Sequence, residues 1–233
     1  MTVLLLRLAA PMQSWGDRSR FARRETRQEP TKSGVLGMLA AAEGRRRTDD
    51  IEDLAGTRFG VRIDQPGSLL RDFHTAHAMD GTRMPVSNRY YLSDAVFLAA
   101  IEGDRDLLTG LEDAVRAPAF PLFLGRRSCP PDGLLCLGLR ETGLAAALAD
   151  EPWLAAPWHR RTCARRVALE VVRDAVDPAE IGEVVRDQPL SWDPQRRAYG
   201  WRTVVRGEPV IVDNDQLGRS TAYHDPFELL AQP

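Results

Sequence analysis

The sequence predicts an α+β fold, built on a β-α-β-β-α-β unit and continued by a smaller strand-rich extension. Three observations predict it. Residues 3–8, Val-Leu-Leu-Leu-Arg-Leu, form an apolar run of strand length closed by Ala10-Pro11. Two stretches, 31–42 and 104–116, repeat apolar residues at helical spacing. Strand-like runs lie between and after them, at 57–64, 69–76, 90–101 and 134–139. The chain has 233 residues and 43% hydrophobic content, enough for one large domain or two small ones with a real core.

Each element has a local reason. Pro30 cannot continue a preceding helix, Thr31 or Ser33 supplies an N-cap oxygen, and Gly44 is the expected stop. Leu36, Leu39 and Ala40 form the apolar face. Gly34 and Gly37 each cost a helix about 1 kcal/mol against Ala, so the first turn is expected to lie close to something bulky, such as another backbone or a phosphate. Gln13-Ser14-Trp15-Gly16 reads as a turn with an exposed Trp, and 17–29 as an arginine-rich loop. In 57–64, Phe59, Val61 and Ile63 share one side and Arg58 and Arg62 the other, the pattern of a half-buried strand.

After a Pro66-Gly67 turn, 69–76 places Arg71, Phe73 and Thr75 on one face and Leu70, Asp72 and His74 on the other. Residues 77–89 lose periodicity and read as a projecting loop or thumb. A single long strand is expected over 90–101, and Leu107, Leu108, Leu111 and Val115 mark the second helix. With a last strand at 134–139, the succession is that of a ferredoxin-like unit. Beyond 140 the pattern weakens. A helix at 145–149, strands at 167–172, 202–205 and 210–212, and a turn-rich stretch at 187–195 are expected. The division is therefore a palm over 1–140, with a thumb at about 77–90, and an extension over 141–233 whose boundary falls near Pro152 and Pro157.

Composition excludes several classes. No run approaches the ~18 apolar residues of a membrane span, and the apolar start contains Arg7 and lacks a basic leader, so it reads as a strand and not as a signal peptide. Three widely spaced cysteines, Cys129, Cys136 and Cys163, fit neither a disulfide framework nor a zinc pattern; a reducing cytoplasm is expected, with no cofactor. Between Arg7 and Arg47 there are ten basic residues against four acidic ones, whereas the acids gather later. That asymmetry points to a polyanion facing the amino half. The aromatic content of 7% does not support a broad base-stacking platform.

The chemistry-bearing candidates follow. Lys32 stands at a helix N-terminus, which suits an anion, although Gln28-Glu29-Pro30-Thr31 before it is not a Walker phosphate loop. Arg126 and Arg127 sit between Gly125 and the stiffening Pro130-Pro131. A metal at Asp72, His74 and His77 is not expected, because His77 points away from the other two along a strand. His74 beside Arg71 and Tyr90 is compatible with metal-independent RNA cleavage through the substrate's own 2′-OH, or with simple hydrogen bonding to nucleotide or backbone.

Five segments in order resemble the CasD family, the RAMP-type subunit of the subtype I-E CRISPR surveillance complex Cascade: Leu5 to Gly16, Pro30 to Gly37, Leu70 to Thr75, Tyr91 to Ala95 and Leu124 to Pro130. The resemblance covers roughly residues 3–140. It implies a ferredoxin-like, RRM-related palm, a protruding thumb and a small C-terminal extension. It also implies a non-catalytic role, capping the 5′ handle of the CRISPR RNA (crRNA) beside a CasC-type backbone subunit and a CasA-type large subunit, with target DNA reached indirectly. Carried onto this chain, Lys32, Ser33 and Gly34, preceded by Arg20 and Arg24, are expected phosphate contacts. Arg71 and His74 on the palm and Arg126, Arg127 and Ser128 on the stiff loop would hold the handle, with Met84, Arg89 and Tyr90 on the thumb.

Overall fold

The computed structural model describes residues 1–16 and 23–216. In chain order its elements are β1 (Thr2–Ala9), β2 (Met12–Gln13), β3 (Arg23–Arg24), α1 (Lys32–Ala42), α2 (Glu52–Ala55), β4 (Arg58–Gln65), β5 (Ser68–His74), β6 (Ser87–Ser93) and β7 (Val96–Gly103). They continue with α3 (Arg105–Arg116), β8 (Cys136–Arg140), α4 (Leu144–Asp150), α5 (Pro157–Arg160), β9 (Arg166–Leu169), β10 (Val171–Asp174), β11 (Glu183–Ser191), β12 (Ala198–Arg206) and β13 (Val210–Asp213). The architecture is mixed α/β with mostly antiparallel sheets.

Seven strands form the main sheet in the order β11-β12-β10-β4-β7-β1-β8. Alternation along β1 explains its two coats. Leu4, Leu6 and Leu8 point into the cluster under α1 and α3, where they meet Leu36, Leu39, Leu108 and Leu111. Val3 and Leu5 point the other way, against Leu144, Ala147 and Leu148 of α4. Because both faces are covered, β4 is not half-buried as its pattern suggests. Arg62 lies fully buried and paired with Asp64 at 2.7 Å, and it donates to the carbonyls of Leu148, Glu151 and Pro152 at the C-terminal end of α4. There the guanidinium satisfies helix carbonyls that have no intrahelical donor.

The sheet does not break at the expected boundary near 140. Beyond it, β10 pairs with β4, β12 pairs with β10, and β11, read from sequence as turn-rich, forms the edge. What joins the two halves is a buried charge network. The Lys32 ammonium contacts Asp174 at 3.1 Å, and Asp174 also accepts from the Phe59 backbone N–H at 2.9 Å. Arg202 bridges Asp174 at 2.6 Å and Asp187 at 2.8 Å, and Asp187 accepts the backbone N–H of Lys32 at 2.9 Å. Burial pushes the lysine below its ordinary pKa, with Asp174 opposing the shift.

Trp15 is buried, not exposed: its indole N–H donates to Gln13 Oε1 at 3.1 Å, and Gln13 donates in turn to the carbonyls of Leu8 and Ala95. A Cβ at Gly34 would lie 2.8 Å from Thr31 Oγ1 and 3.0 Å from the Trp15 ring, so the bulky neighbour is this indole and not a phosphate. At Gly37 a Cβ would meet Trp192 at 3.7 Å, an ordinary contact that does not demand glycine. The single strand expected over 90–101 is two, β6 and β7, separated at Asp94, whose φ is 56°.

Asp187→Ala leaves Lys32 and Arg202 with one buried carboxylate between them and removes the acceptor at the start of α1. A loss of about 3–5 kcal/mol is expected, the usual cost of breaking a buried ionic network, read as a fall in the denaturant midpoint at unchanged slope.

Candidate nucleic-acid interface

The hairpin of β5 and β6 leaves the main sheet and builds a second one with β2 and β3. It starts from the Pro66-Gly67 turn, so the projecting element is longer than the loop expected at 77–90. Its tip is tight: the Ala78 N–H donates to Thr82 O at 2.9 Å, Asp80 accepts from the Thr82 N–H at 2.9 Å, and His77 pairs with Arg83 across an isolated bridge. Strand alternation divides its side chains between two faces. Arg71 lies opposite Tyr90 and Phe73 opposite Asn88, with Arg23 of β3 beside Asn88. On the other face, Asp72 lies opposite Arg89, His74 opposite Ser87, and Arg24 beside Arg89.

On the first face, Arg71 donates to Asn88 Oδ1 at 3.1 Å and the Arg23 guanidinium lies 5.4 Å from the Tyr90 ring centre. Leu69 and Phe73 are 66% and 68% exposed on this face, an unusual exposure for large apolar side chains in a strand. Met84 and Val86 continue the exposed apolar surface after the tip. On the second face, His74 Nε2 lies 2.7 Å from Asp72 Oδ2 and Arg89 Nε donates to Ser87 Oγ at 3.4 Å. His74 is therefore turned away from Arg71 and Tyr90, and the grouping considered for RNA cleavage does not assemble.

The arginine loop meets this second face. The Arg126 guanidinium stacks 4.4 Å from the Tyr91 ring centre, and its Nη2 donates to the Arg24 carbonyl at 3.0 Å. Its Nη1 is buried and has no partner among the described residues. Arg127 and Ser128 are exposed at the turn. The loop is held by Leu124, whose carbonyl accepts from the Ser14 N–H and whose own N–H donates to Cys129 O. Gly125 has φ of 85°, and a Cβ there would lie 1.7 Å from the Ser14 carbonyl oxygen. Only glycine permits this approach.

The helix-start candidates are placed differently. Lys32 is buried and paired internally, so it is not available to a phosphate. The Gly34 N–H donates to Thr31, and the Lys32 N–H to Asp187. The anion that the N-terminus attracts is thus a carboxylate of the same chain. Ser33 is half-buried in that turn. Arg20 lies outside the described residues. Sequence reasoning missed Asn88, Leu69 and Phe73, and read Arg23 only as one of the loop arginines before α1. Period-2 alternation on 69–76 already put Phe73 beside Arg71, but nothing local revealed that this face stays uncovered.

The family model of the CRISPR-associated protein Cas5 (Cas_Cas5) matches residues 3–205, and the chain belongs to that family. Among curated relatives, the CRISPR system Cascade subunit CasD of Escherichia coli (strain K12) is 38% identical over 157 residues, 58% of this chain and 70% of CasD. A solved structure described as the crystal structure of a Cas protein shares 39% identity with a TM-score of 0.71, covering 92% of this chain and 97% of the other. A chain of a CRISPR RNA-guided surveillance complex shares 33% identity with a TM-score of 0.75, covering 95% of each.

Gly125→Ala is expected to unseat the arginine loop. The left-handed backbone alone costs about 1–3 kcal/mol, and the clash with Ser14 adds to it. Thermal melting checks the loss, and quenching of the intrinsic fluorescence near Trp15 reports the displaced loop.

Proposed function

We propose that the protein is a non-catalytic crRNA-binding subunit of a type I-E CRISPR surveillance complex, where it caps and holds the 5′ handle of the crRNA for antiviral DNA interference. The observation that carries this is its near full-length likeness, at 33% identity, to a chain of an RNA-guided surveillance complex. In this reading β4, β7, β1 and β8, with α1 and α3 against one face, are a ferredoxin-like palm. The β5–β6 hairpin is the thumb, entering between nucleotides where the handle ends. The C-terminal strands extend the palm sheet and brace it.

The side chains support a role in holding. Arg71, Arg89, Arg126 and Arg127 supply charge for phosphates. Leu69, Phe73 and Met84 are exposed apolar groups suited to lie against unstacked bases. The buried Nη1 of Arg126, without a partner among the described residues, is a donor that a phosphate or base oxygen would satisfy. The partners proposed are a CasC-type backbone subunit and a CasA-type large subunit, with target DNA engaged through the assembled complex. No observation favours RNA cleavage, since His74 is paired with Asp72 on the face away from Arg71 and Tyr90.

Handle RNA is expected to bind with a steep salt dependence, because several phosphates are neutralised. Arg127→Ala should weaken binding by ~1–3 kcal/mol with no change in melting temperature. Arg126→Ala should weaken binding and also lower the melting temperature, because this side chain braces Tyr91 and Arg24. Repeat RNA should remain intact with and without chelator. Handle affinity that is indifferent to salt and to both substitutions would overturn the proposal.

A further inference from the structure

On the first face of the hairpin, Arg71 and Asn88 are tied together across the two strands. The Arg71 Nε and Nη2 both donate to Asn88 Oδ1, at 3.2 Å and 3.1 Å. Only an oxygen can face two guanidinium donors, so this contact fixes which way the amide lies. The Asn88 Nδ2 then makes no hydrogen bond among the described residues. Arg71 has used one edge of its fork, and the N–H groups of Nη1 and one of Nη2 are left over. Arg71 is exposed and Asn88 half-buried. Among the described residues Arg71 meets no carboxylate, whereas Arg23, beside Asn88, is answered by Glu25 at 2.8 Å. A cross-strand pair on an exposed face contributes little to stability.

The groups that the pair leaves free are all donors. Phe73 stands directly opposite Asn88 and is 68% exposed. An uncovered ring next to a fixed donor edge has the two parts that hold an unstacked base: a surface for its plane and partners for its edge. The donors also choose among bases. Guanine sets two acceptors, N7 and O6, side by side, and a guanidinium fork fits them. Adenine places its N6 amino group beside N7, so that one donor would oppose another. Uracil separates its two oxygens by an N–H. Cytosine has acceptors at O2 and N3, but its single ring covers less of Phe73 than a purine does.

We propose that Arg71, Asn88 and Phe73 form a base-reading subsite on the hairpin that selects a guanine of the bound RNA, a reading that rests on the RNA-holding role above and adds the base to it. Phe73 stacks on the purine, and Arg71 and Asn88 donate to its N7 and O6. Arg71 still carries charge toward the backbone, but Asn88 holds its guanidinium for an edge. A phosphate contact alone would be served as well by lysine, and a fork on guanine would not.

The test uses the full chain and short oligoadenylate RNAs. One adenosine, walked along the strand, is replaced by guanosine, cytidine, uridine or 7-deazaguanosine, which lacks the N7 acceptor. Handle RNA is the control for the underlying role. At its best position, guanosine is expected to tighten binding about tenfold over adenosine, and 7-deazaguanosine to lose most of that gain. Arg71→Lys should bring the guanosine preference to within about twofold while oligoadenylate affinity also stays within about twofold of wild type. Asn88→Asp, which still accepts from Arg71 but has no outward donor, should abolish the preference too. Phe73→Ala should weaken all strands by about tenfold. Melting temperatures of the three variants should match wild type. The proposal is overturned if no position favours guanosine over adenosine, if cytidine serves as well as guanosine, or if the preference survives both Arg71→Lys and Asn88→Asp. Those results, with handle RNA still bound in a salt-dependent way, leave the role proposed above standing. Failure of wild type to bind handle RNA strikes that role, and this subsite with it.

Discussion

The carboxylate of Asp187 at the first turn of α1 is the constraint on which the rest of the structure depends. It accepts the Lys32 backbone N–H and holds Arg202, which in turn holds Asp174, which receives the Lys32 ammonium and the Phe59 N–H. Two cations and two anions close a neutral set away from water. Each charge would be costly in such a place alone, and the set is tolerable because every member is paired and hydrogen-bonded. Its members come from α1 and from β10, β11 and β12, so the amino-terminal helix and the carboxyl-terminal strands are held in one body. The chain's single lysine is spent on this joint.

From that joined sheet the hairpin departs at both ends under tight control. Gly67, with φ of 71°, leaves no room for a Cβ beside the Ser93 carbonyl, and Asp94 takes a left-handed conformation where β6 gives way to β7. Gln65 reaches from one end to the Asp94 carbonyl at the other. The hairpin is therefore stiff at its root, while its apolar and cationic side chains stay exposed further out. A rigid base with an uncovered distal face fits the thumb role proposed for the hairpin. The Arg126 loop, seated on Ser14 through Gly125, closes the same root from the helix side.

Much of the secondary structure was legible because local patterns specify it. The cap at Thr31, the Leu108-Leu111-Val115 face of α3 and the presence of a strand at β4 follow from spacing alone. The order of strands and helices, and five motifs in sequence, were enough to suggest the family. Three kinds of statement were not legible. The burial of Trp15 and Arg62 depends on what covers them, and covering elements come from residues far along the chain. The break at Asp94 is a backbone event inside a run whose composition suits one strand. The strand β11 carries no clean apolar alternation in sequence, because it is bulged against β12 and its buried side includes Asp187 of the charged joint.

The sequence by itself determined the class of fold, the family and the presence of arginine-rich segments, because these depend on residue type and short-range spacing. Only the tertiary structure decided what each charge is for. Lys32 and Arg126 look alike as cations near glycine and a turn. One is buried against Asp174 and Asp187, carboxylates contributed from about 140 and 155 residues away, and the other stacks on Tyr91 with a donor that no described residue meets. A charge takes its role from the groups that surround it in space, and sequence neighbours do not reveal which distant carboxylate will arrive.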